Sequence, residues 1–205
     1  MKFHKLKVAE ATKLTPLSKK LSFEIPHSLE NEFQFQSGQY VNLNLNIDGK
    51  TVRRSYSICS PTTTKNVISV GVKEIVDPYA SAHINQNVNQ GDIIEVSSPE
   101  GSFLLTEISD AKQFVFVAGG SGITPILSML HEILPKSNAK VYLKYSTLSQ
   151  EETMFYDELS QLQNTYSNLK IDFLFTGGEN LLNENNLAEW IRSLSLTDFN
   201  VWVCV

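Results

Sequence analysis

A chain of 205 residues is long enough for one large domain or two small ones, and its 41% hydrophobic and 19% charged content excludes wholesale disorder. A formal charge of −5 leaves no basic footprint for nucleic acid. No apolar run approaches the roughly 18–20 residues of a membrane span, and the opening MKFHKLKVAEATK has no apolar core of a secretory signal. The sequence therefore reads as a soluble, cytoplasmic protein with neither nucleic-acid nor membrane partners. Its cysteines, Cys59 and Cys204, lie far apart, which excludes a disulfide scaffold, a Cys-x-x-Cys zinc site and a cysteine-ligated iron–sulfur cluster. His4, His27, His83 and His131 are scattered without ligand spacing, so no metal is expected.

From Lys5 to about Phe103 the pattern is short and alternating. Val41 to Asn46 alternates apolar and polar residues, as a strand with one buried face does. Asp48-Gly49 follows, a hairpin turn because each residue tolerates positive φ. The return strand is Thr51 to Cys59, closed by Ser60-Pro61. Further strands are expected at Asn66–Ile75 and Asp92–Val96, with a short helix at Tyr79–Gln86 between them. Short strands joined by tight turns predict an antiparallel β-barrel or sandwich.

From about Gln113 the period changes. Phe114 to Ala118 is continuously apolar, as a strand buried on two faces should be. A glycine-rich turn follows, then Ile126, Leu127, Met129, Leu130 and Leu134 mark a helix. A strand at Val141–Tyr145 precedes a helix at Glu151–Leu162, whose Phe155, Leu159 and Leu162 form an apolar stripe. Ile171–Phe175, Asn185–Leu194 and Val201–Cys204 repeat strand, helix and strand. This alternation predicts an α/β domain with a parallel sheet covered by helices. The expected organisation is an N-terminal antiparallel β-barrel over 1–108 and a C-terminal α/β parallel-sheet domain over 109–205. The chain stops at Val205, directly after an apolar strand, so the second domain reads as incomplete or abruptly ended.

Chemistry-bearing residues gather in a few places. In Arg53-Arg54-Ser55-Tyr56-Ser57, period-two geometry puts Arg54 and Tyr56 on one face. A guanidinium beside a flat aromatic suits a ligand with a phosphate and a planar ring, and Ser57 adds a hydroxyl nearby. Taken alone, the segment reads more simply as a surface strand with an Arg–Tyr contact. Gly119-Gly120-Ser121-Gly122-Ile123-Thr124-Pro125 is more pointed. Glycines admit a ligand to the backbone, and the helix start offers free N–H groups to a phosphate. Pro125 stands where a dinucleotide Gly-x-Gly-x-x-Gly pattern would place its third glycine, so the loop is of a different kind. Val72 and Lys73 end a strand, Ala80 and Ser81 open the short helix, and Cys204 ends the last strand. Each of these is, by itself, a structural residue as readily as a ligand contact. Asp157 and Glu158 read as the solvated face of their helix.

Together these residues resemble the ferredoxin–NADP reductase superfamily, chiefly through Arg54-x-Tyr56-Ser57 and the run Gly119 to Pro125. The surrounding VRRSYSICSP, VKEIVDPYAS and PEGSF are most similar to reductase components of multicomponent oxygenases, the phenylacetyl-CoA oxygenase reductase type among them. The resemblance implies FAD held between barrel and α/β domain. Arg54 would pair with the pyrophosphate, Tyr56 would stack on the flavin and Ser57 would bond near its N5, with Ser55 in the same strand. Val72 and Lys73 would border the flavin or its adenosine tail, and Ala80 and Ser81 would meet the pyrophosphate. Thr124 would approach the cofactors, Gly119, Gly120, Ser121 and Gly122 would receive NAD(P)H, and Cys204 would lie by the nicotinamide. Tyr56, Ser57 and Cys204 are the implied catalytic group.

Departures from the family pattern carry expectations of their own. Asp77-Pro78-Tyr79-Ala80 replaces a segment with an early glycine, which implies an altered grip on FAD. Ser146-Thr147-Leu148-Ser149 lacks the arginine that pairs with a 2′-phosphate, so NADH is favoured over NADPH. Without a cluster of its own, the chain would pass electrons to a ferredoxin or oxygenase component, in phenylacetate degradation if the nearest type holds. The alternative is an FAD- or nucleotide-binding module that does not turn over as the chain stands.

Overall fold

In the computed structural model, residues 2–74, 79–105, 113–177 and 182–205 are described. The first half is a six-stranded antiparallel sheet, and its strands in chain order are β1 (Phe3–Thr15), β2 (Ser18–Glu24), β3 (Tyr40–Ile47), β4 (Lys50–Ser57), β5 (Val67–Lys73) and β6 (Ile93–Ser97). They lie side by side as β4-β3-β6-β1-β2-β5. The two outer strands curl together, since Ile58 just beyond β4 bridges Val70 of β5, and the sheet rolls towards a barrel. Inward-facing Leu6, Val8, Leu21, Phe23, Leu43, Val70 and Val96 fill it with their side chains fully out of water. Asp48 and Gly49 take φ of 51° and 75°, the paired left-handed turn that lets β4 fold back on β3 in register.

The helix α1 (Tyr79–Asn87) closes one end of the barrel, and Ile84 enters the core. Its C-terminal carbonyls are held by a lysine that the sequence does not distinguish from a surface one. The Lys19 ammonium, on buried β2, donates to the carbonyls of Ile84 and Val88 at 3.2 and 2.7 Å. A cation there complements the negative end of the helix, and burial lowers its pKa.

The second half is a four-stranded parallel sheet of β7 (Gln113–Gly119), β8 (Val141–Thr147), β9 (Leu169–Phe175) and β10 (Phe199–Cys204). Its strands lie in the order β10-β7-β8-β9. Helix α2 (Ile123–Ile133) is buried along almost its whole length and packs on β7 and β10; α3 (Tyr156–Thr165) and α4 (Glu184–Ser193) complete the domain. The change of period along the chain thus marks two architectures. The domain boundary expected at 108/109 lies outside the described residues, as do Ile75, Asp77 and Pro78.

One expected helix begins late. The sequence pattern predicts a start at Glu151, whereas α3 starts at Tyr156. Thr153 donates to the Ser149 carbonyl at 2.7 Å and pairs with the Thr147 hydroxyl at 2.8 Å, giving the backbone a turn in place of a helix. Phe155 then takes a left-handed φ of 60° to drive its ring into the core, which breaks the helical run ahead of it.

The halves pack on each other through close backbone approaches. Gly71 in β5 faces the α/β domain, and a β-carbon there would sit 2.7 Å from the Thr124 methyl and 2.9 Å from the Met154 methyl. Ser37 donates to the Ser128 carbonyl at 3.2 Å, and Ser128 to the Ser60 carbonyl at 2.9 Å, pinning α2 to the barrel. Cys59, from the barrel half, is buried in the α/β core, and burial pushes its thiol up to about 12. It is a packing residue.

Candidate functional site

The strand order places the site. β7, β8 and β9 progress in one direction, while β10 joins on the opposite side of β7. The crevice at such a reversal, outside the carboxyl ends of the strands, is where open parallel sheets receive ligands. Here the carboxyl ends are Gly119, opening the glycine turn, and Cys204. The turn crosses the end of β10 so closely that a β-carbon on Gly122 would fall on the Cys204 carbonyl oxygen. Glycine is required there by contact alone, since its φ of −61° is open to any residue.

Above this crevice the barrel brings β4, β5 and α1. A cleft of about 350 Å³ is lined by Arg54, Ser55, Tyr56, Ser57, Gly71, Lys73, Ala80 and Ser81 from the barrel half and by Ser121, Gly122, Thr124 and Cys204 from the other. A second cleft of about 380 Å³ adjoins it, lined by Gly119, Gly120, Ser146, Thr147, Leu148, Thr176 and Leu182. Lys73 and Val205 belong to each of them. The Lys73 ammonium stands 3.9 Å from where a β-carbon on Gly120 would be, so this barrel lysine reaches the glycine turn. A larger cleft, about 460 Å³ around Phe33 and Lys65, shares none of these residues.

Alternation on β4 divides its side chains. Arg53 holds the Asn44 side-chain oxygen at 2.9 Å and lies over the Phe3 ring, 4.6 Å from its centre. Arg54 is exposed at the cleft, tethered to the Arg53 carbonyl at 2.8 Å. Tyr56 is half-buried against the barrel core and presents itself to the cleft. Burial pushes its phenol up to about 12, with Arg54 pulling the other way, so it stays neutral and able to donate. Thr124 donates to the Ser121 carbonyl at 2.9 Å, tightening the turn into α2. Burial raises the Cys204 thiol pKa as well, which keeps it protonated and unsuited to nucleophilic work.

Two of the expected contacts sit differently from their neighbours. The Val72 side chain is wholly buried in the barrel core. Alternation turns it away from the cleft that its neighbours Gly71 and Lys73 line, so Val72 has only backbone to offer. Ser55 lines the cleft, but its hydroxyl donates to the Asn42 side-chain oxygen at 2.7 Å. The expected cofactor residues also divide between two clefts, with Gly119 and Gly120 in the second.

Gly71 is a site residue that the sequence reading passes over. The available signal was a lone glycine inside an otherwise β-branched strand, which marks a close backbone approach. Chemically, the main cleft offers a guanidinium, an ammonium, helix-start amides and a flat phenol. This donor set fits a ligand with a diphosphate and a planar ring, and the glycine turn fits a second phosphate-bearing ligand.

The comparisons with known proteins agree with this division. Residues 5–104 match the oxidoreductase FAD-binding domain, and residues 116–198 match the oxidoreductase NAD-binding domain. One component of the 1,2-phenylacetyl-CoA epoxidase of Escherichia coli K12 is 31% identical over 166 residues, covering 80% of this chain and 46% of that one. The ferredoxin reductase component of the 3-ketosteroid-9-alpha-monooxygenase of Rhodococcus rhodochrous is 32% identical, covering 78% and 46%. The chain thus spans about half the length of the curated relatives it matches. Among solved structures, a ferredoxin NADP+ reductase from Neisseria gonorrhoeae with bound FAD and NADP superimposes with a TM-score of 0.81 at 24% identity, over 99% of this chain and 85% of that one. Phthalate dioxygenase reductase follows at a TM-score of 0.76 and 24% identity, over 98% and 60%. At these identities the structural likeness speaks for the fold.

Proposed function

Since this chain belongs to the ferredoxin–NADP reductase superfamily, we propose that it is an FAD-dependent NAD(P)H oxidoreductase module that passes electrons to a ferredoxin or oxygenase component. The observation that carries this reading is the cleft built jointly by Arg54, Tyr56, Ser57, Lys73 and Ser81 of the barrel and by Ser121, Gly122, Thr124 and Cys204 of the α/β half. FAD bound there supplies hydride acceptance from a nicotinamide and single-electron release to an acceptor.

The chain's own residues supply position and charge. Arg54 and the start of α1 neutralise the flavin pyrophosphate, while Tyr56 gives the ring system a flat neutral wall and Ser57 a hydroxyl. The turn Gly119 to Gly122 receives the diphosphate of the pyridine nucleotide, and Cys204 walls the nicotinamide side as a neutral thiol. NADH is the favoured nucleotide. Lys73 is the one cationic side chain lining the second cleft among the described residues, and Ser146, Thr147 and Leu148 leave a 2′-phosphate without a cation. An oxygenase component of a phenylacetate-degrading system is the acceptor we favour, on the likeness to the epoxidase component.

The test is spectroscopic. Protein incubated with FAD and desalted should keep a flavin spectrum with two visible bands, and stopped-flow mixing with NADH should bleach it faster than mixing with NADPH. A folded protein that emerges colourless overturns the flavin site. Retained flavin bleached by neither nucleotide leaves a binding module without turnover.

A further inference from the structure

Tyr145 lies in the second half of β8, beside the glycine turn, and its side chain is completely out of water in the α/β core. Its hydroxyl donates to the carbonyl oxygen of Gly120 at 2.9 Å. A phenol at the end of a core tyrosine needs partners, and here they are the backbone at Met154 and the backbone of the turn itself. The described peptide bonds are all trans. In a planar trans peptide the carbonyl and the following N–H point to opposite sides. With the Gly120 carbonyl held down on Tyr145, the Ser121 N–H must face the outer side of the turn, where Ser121 is exposed and lines the main cleft.

The next peptide is held in the same manner. Thr124 donates to the Ser121 carbonyl at 2.9 Å, which turns the Gly122 N–H away from the helix. Gly120 itself has a left-handed φ of 50° and leads directly into the short helical turn Gly120–Gly122. Left-handed followed by right-handed backbone makes a concave set of N–H groups that suits an anion. A flipped 120–121 peptide would present a carbonyl oxygen to that anion instead. Neither residue chemistry nor spacing in the sequence marks Tyr145; the contact spans 25 residues from one strand end to another.

We propose that Tyr145 is a positioning residue: its hydroxyl locks the 120–121 peptide so that the Ser121 amide faces the diphosphate of the incoming pyridine nucleotide. The proposal rests on the functional reading above and adds a residue that touches no ligand. Removing the hydroxyl should weaken nucleotide capture far more than flavin binding, because Arg54, Tyr56, Lys73 and Ser81, the barrel's contribution to the shared cleft, lie on β4, β5 and α1 and not on the turn.

Tyr145→Phe keeps the ring that fills the core and deletes the hydroxyl, with its bond to Gly120 and its backbone contact at Met154. We expect it to retain FAD as the native protein does, to raise half-saturating NADH about tenfold, the worth of one charge-assisted hydrogen bond, and to change the limiting rate of flavin reduction less than about twofold, as loss of uniform binding predicts. Half-saturation unchanged overturns the anchor, as does a fall in the limiting rate alone. A second measurement needs no variant. In isotope-labelled native protein, ADP should shift the amide resonances of Ser121 and Gly122, and shifts confined to other amides overturn the proposal. Native protein that binds neither ADP nor NADH overturns the functional reading itself, so the two failures are distinct.

Discussion

The two halves of the molecule approach the cleft by opposite means. The barrel presents side chains: Arg54 and Tyr56 from one face of β4, and Lys73 from the end of β5. The α/β half presents backbone, in a turn where Gly119 and Gly122 are pressed against Val205 and Cys204 and no β-carbon fits without displacement. A site half made of side chains is tuned residue by residue, because each strand position can change without moving the strand. A site half made of backbone is all or nothing, because its donors exist only while the turn keeps its path.

Substitution in the backbone half should therefore cost most. Gly122→Ala places a methyl group on the Cys204 carbonyl, with strand on one side and helix on the other to resist a shift. We expect a loss of about 3 kcal/mol in unfolding free energy. Denaturant titration followed by Trp190 and Trp202, each in that half, checks it. A loss under half that size would mean that the turn has room to move.

In the barrel half, neighbouring arginines should behave differently. Arg54→Ala should weaken FAD binding by roughly 1.5–3 kcal/mol if the guanidinium makes a charge-assisted phosphate contact. Arg53→Ala removes a guanidinium already occupied by Asn44 and Phe3, and should leave FAD affinity within about twofold. Flavin fluorescence titration of each variant separates them, and equal losses would refute the division of β4 into a cleft face and an outer face.

The smallest expected effect concerns acid. The His4 ring nitrogen stands 2.8 Å from the Glu32 carboxylate and is the largest cause of its lowered pKa; hydrogen bonds from Lys2 and Ser98 add to it, and together they outweigh its desolvation. The result is a carboxyl at about 2 instead of the ordinary 4.5. A carboxylate held below its unfolded value contributes stability above about 4.5, and that contribution is lost as pH falls towards 2. Since His4 and Lys2 belong to the N-terminal end of the chain at β1, the barrel should loosen in this window before the parallel sheet does. Glu32→Gln should flatten the dependence of Tm on pH between about 5 and 2. An unchanged slope would assign the acid lability to other groups.

The sequence by itself determined what is local. The switch from alternation to continuous apolar strands separated two architectures, Asp48-Gly49 set a hairpin, and a period of two put Arg54 and Tyr56 together. Glycine-rich text between an apolar strand and a helix marked the tight turn between β7 and α2. Strands β1 and β2 left a fainter trace, because β1 carries register irregularities between Val8 and Glu10 and between Lys13 and Thr15 that interrupt alternation. Only the tertiary structure decided the rest. Strand order made the carboxyl ends of β7 and β10 a crevice, and domain packing gave Gly71 its purpose. The register of β5 sent Val72 inward and Lys73 to the cleft. Tyr145 found its partner in a turn that lies next to it only once β8 has paired with β7. Periodicity and turn chemistry act over a few residues, whereas which face meets a ligand depends on pairings made far along the chain.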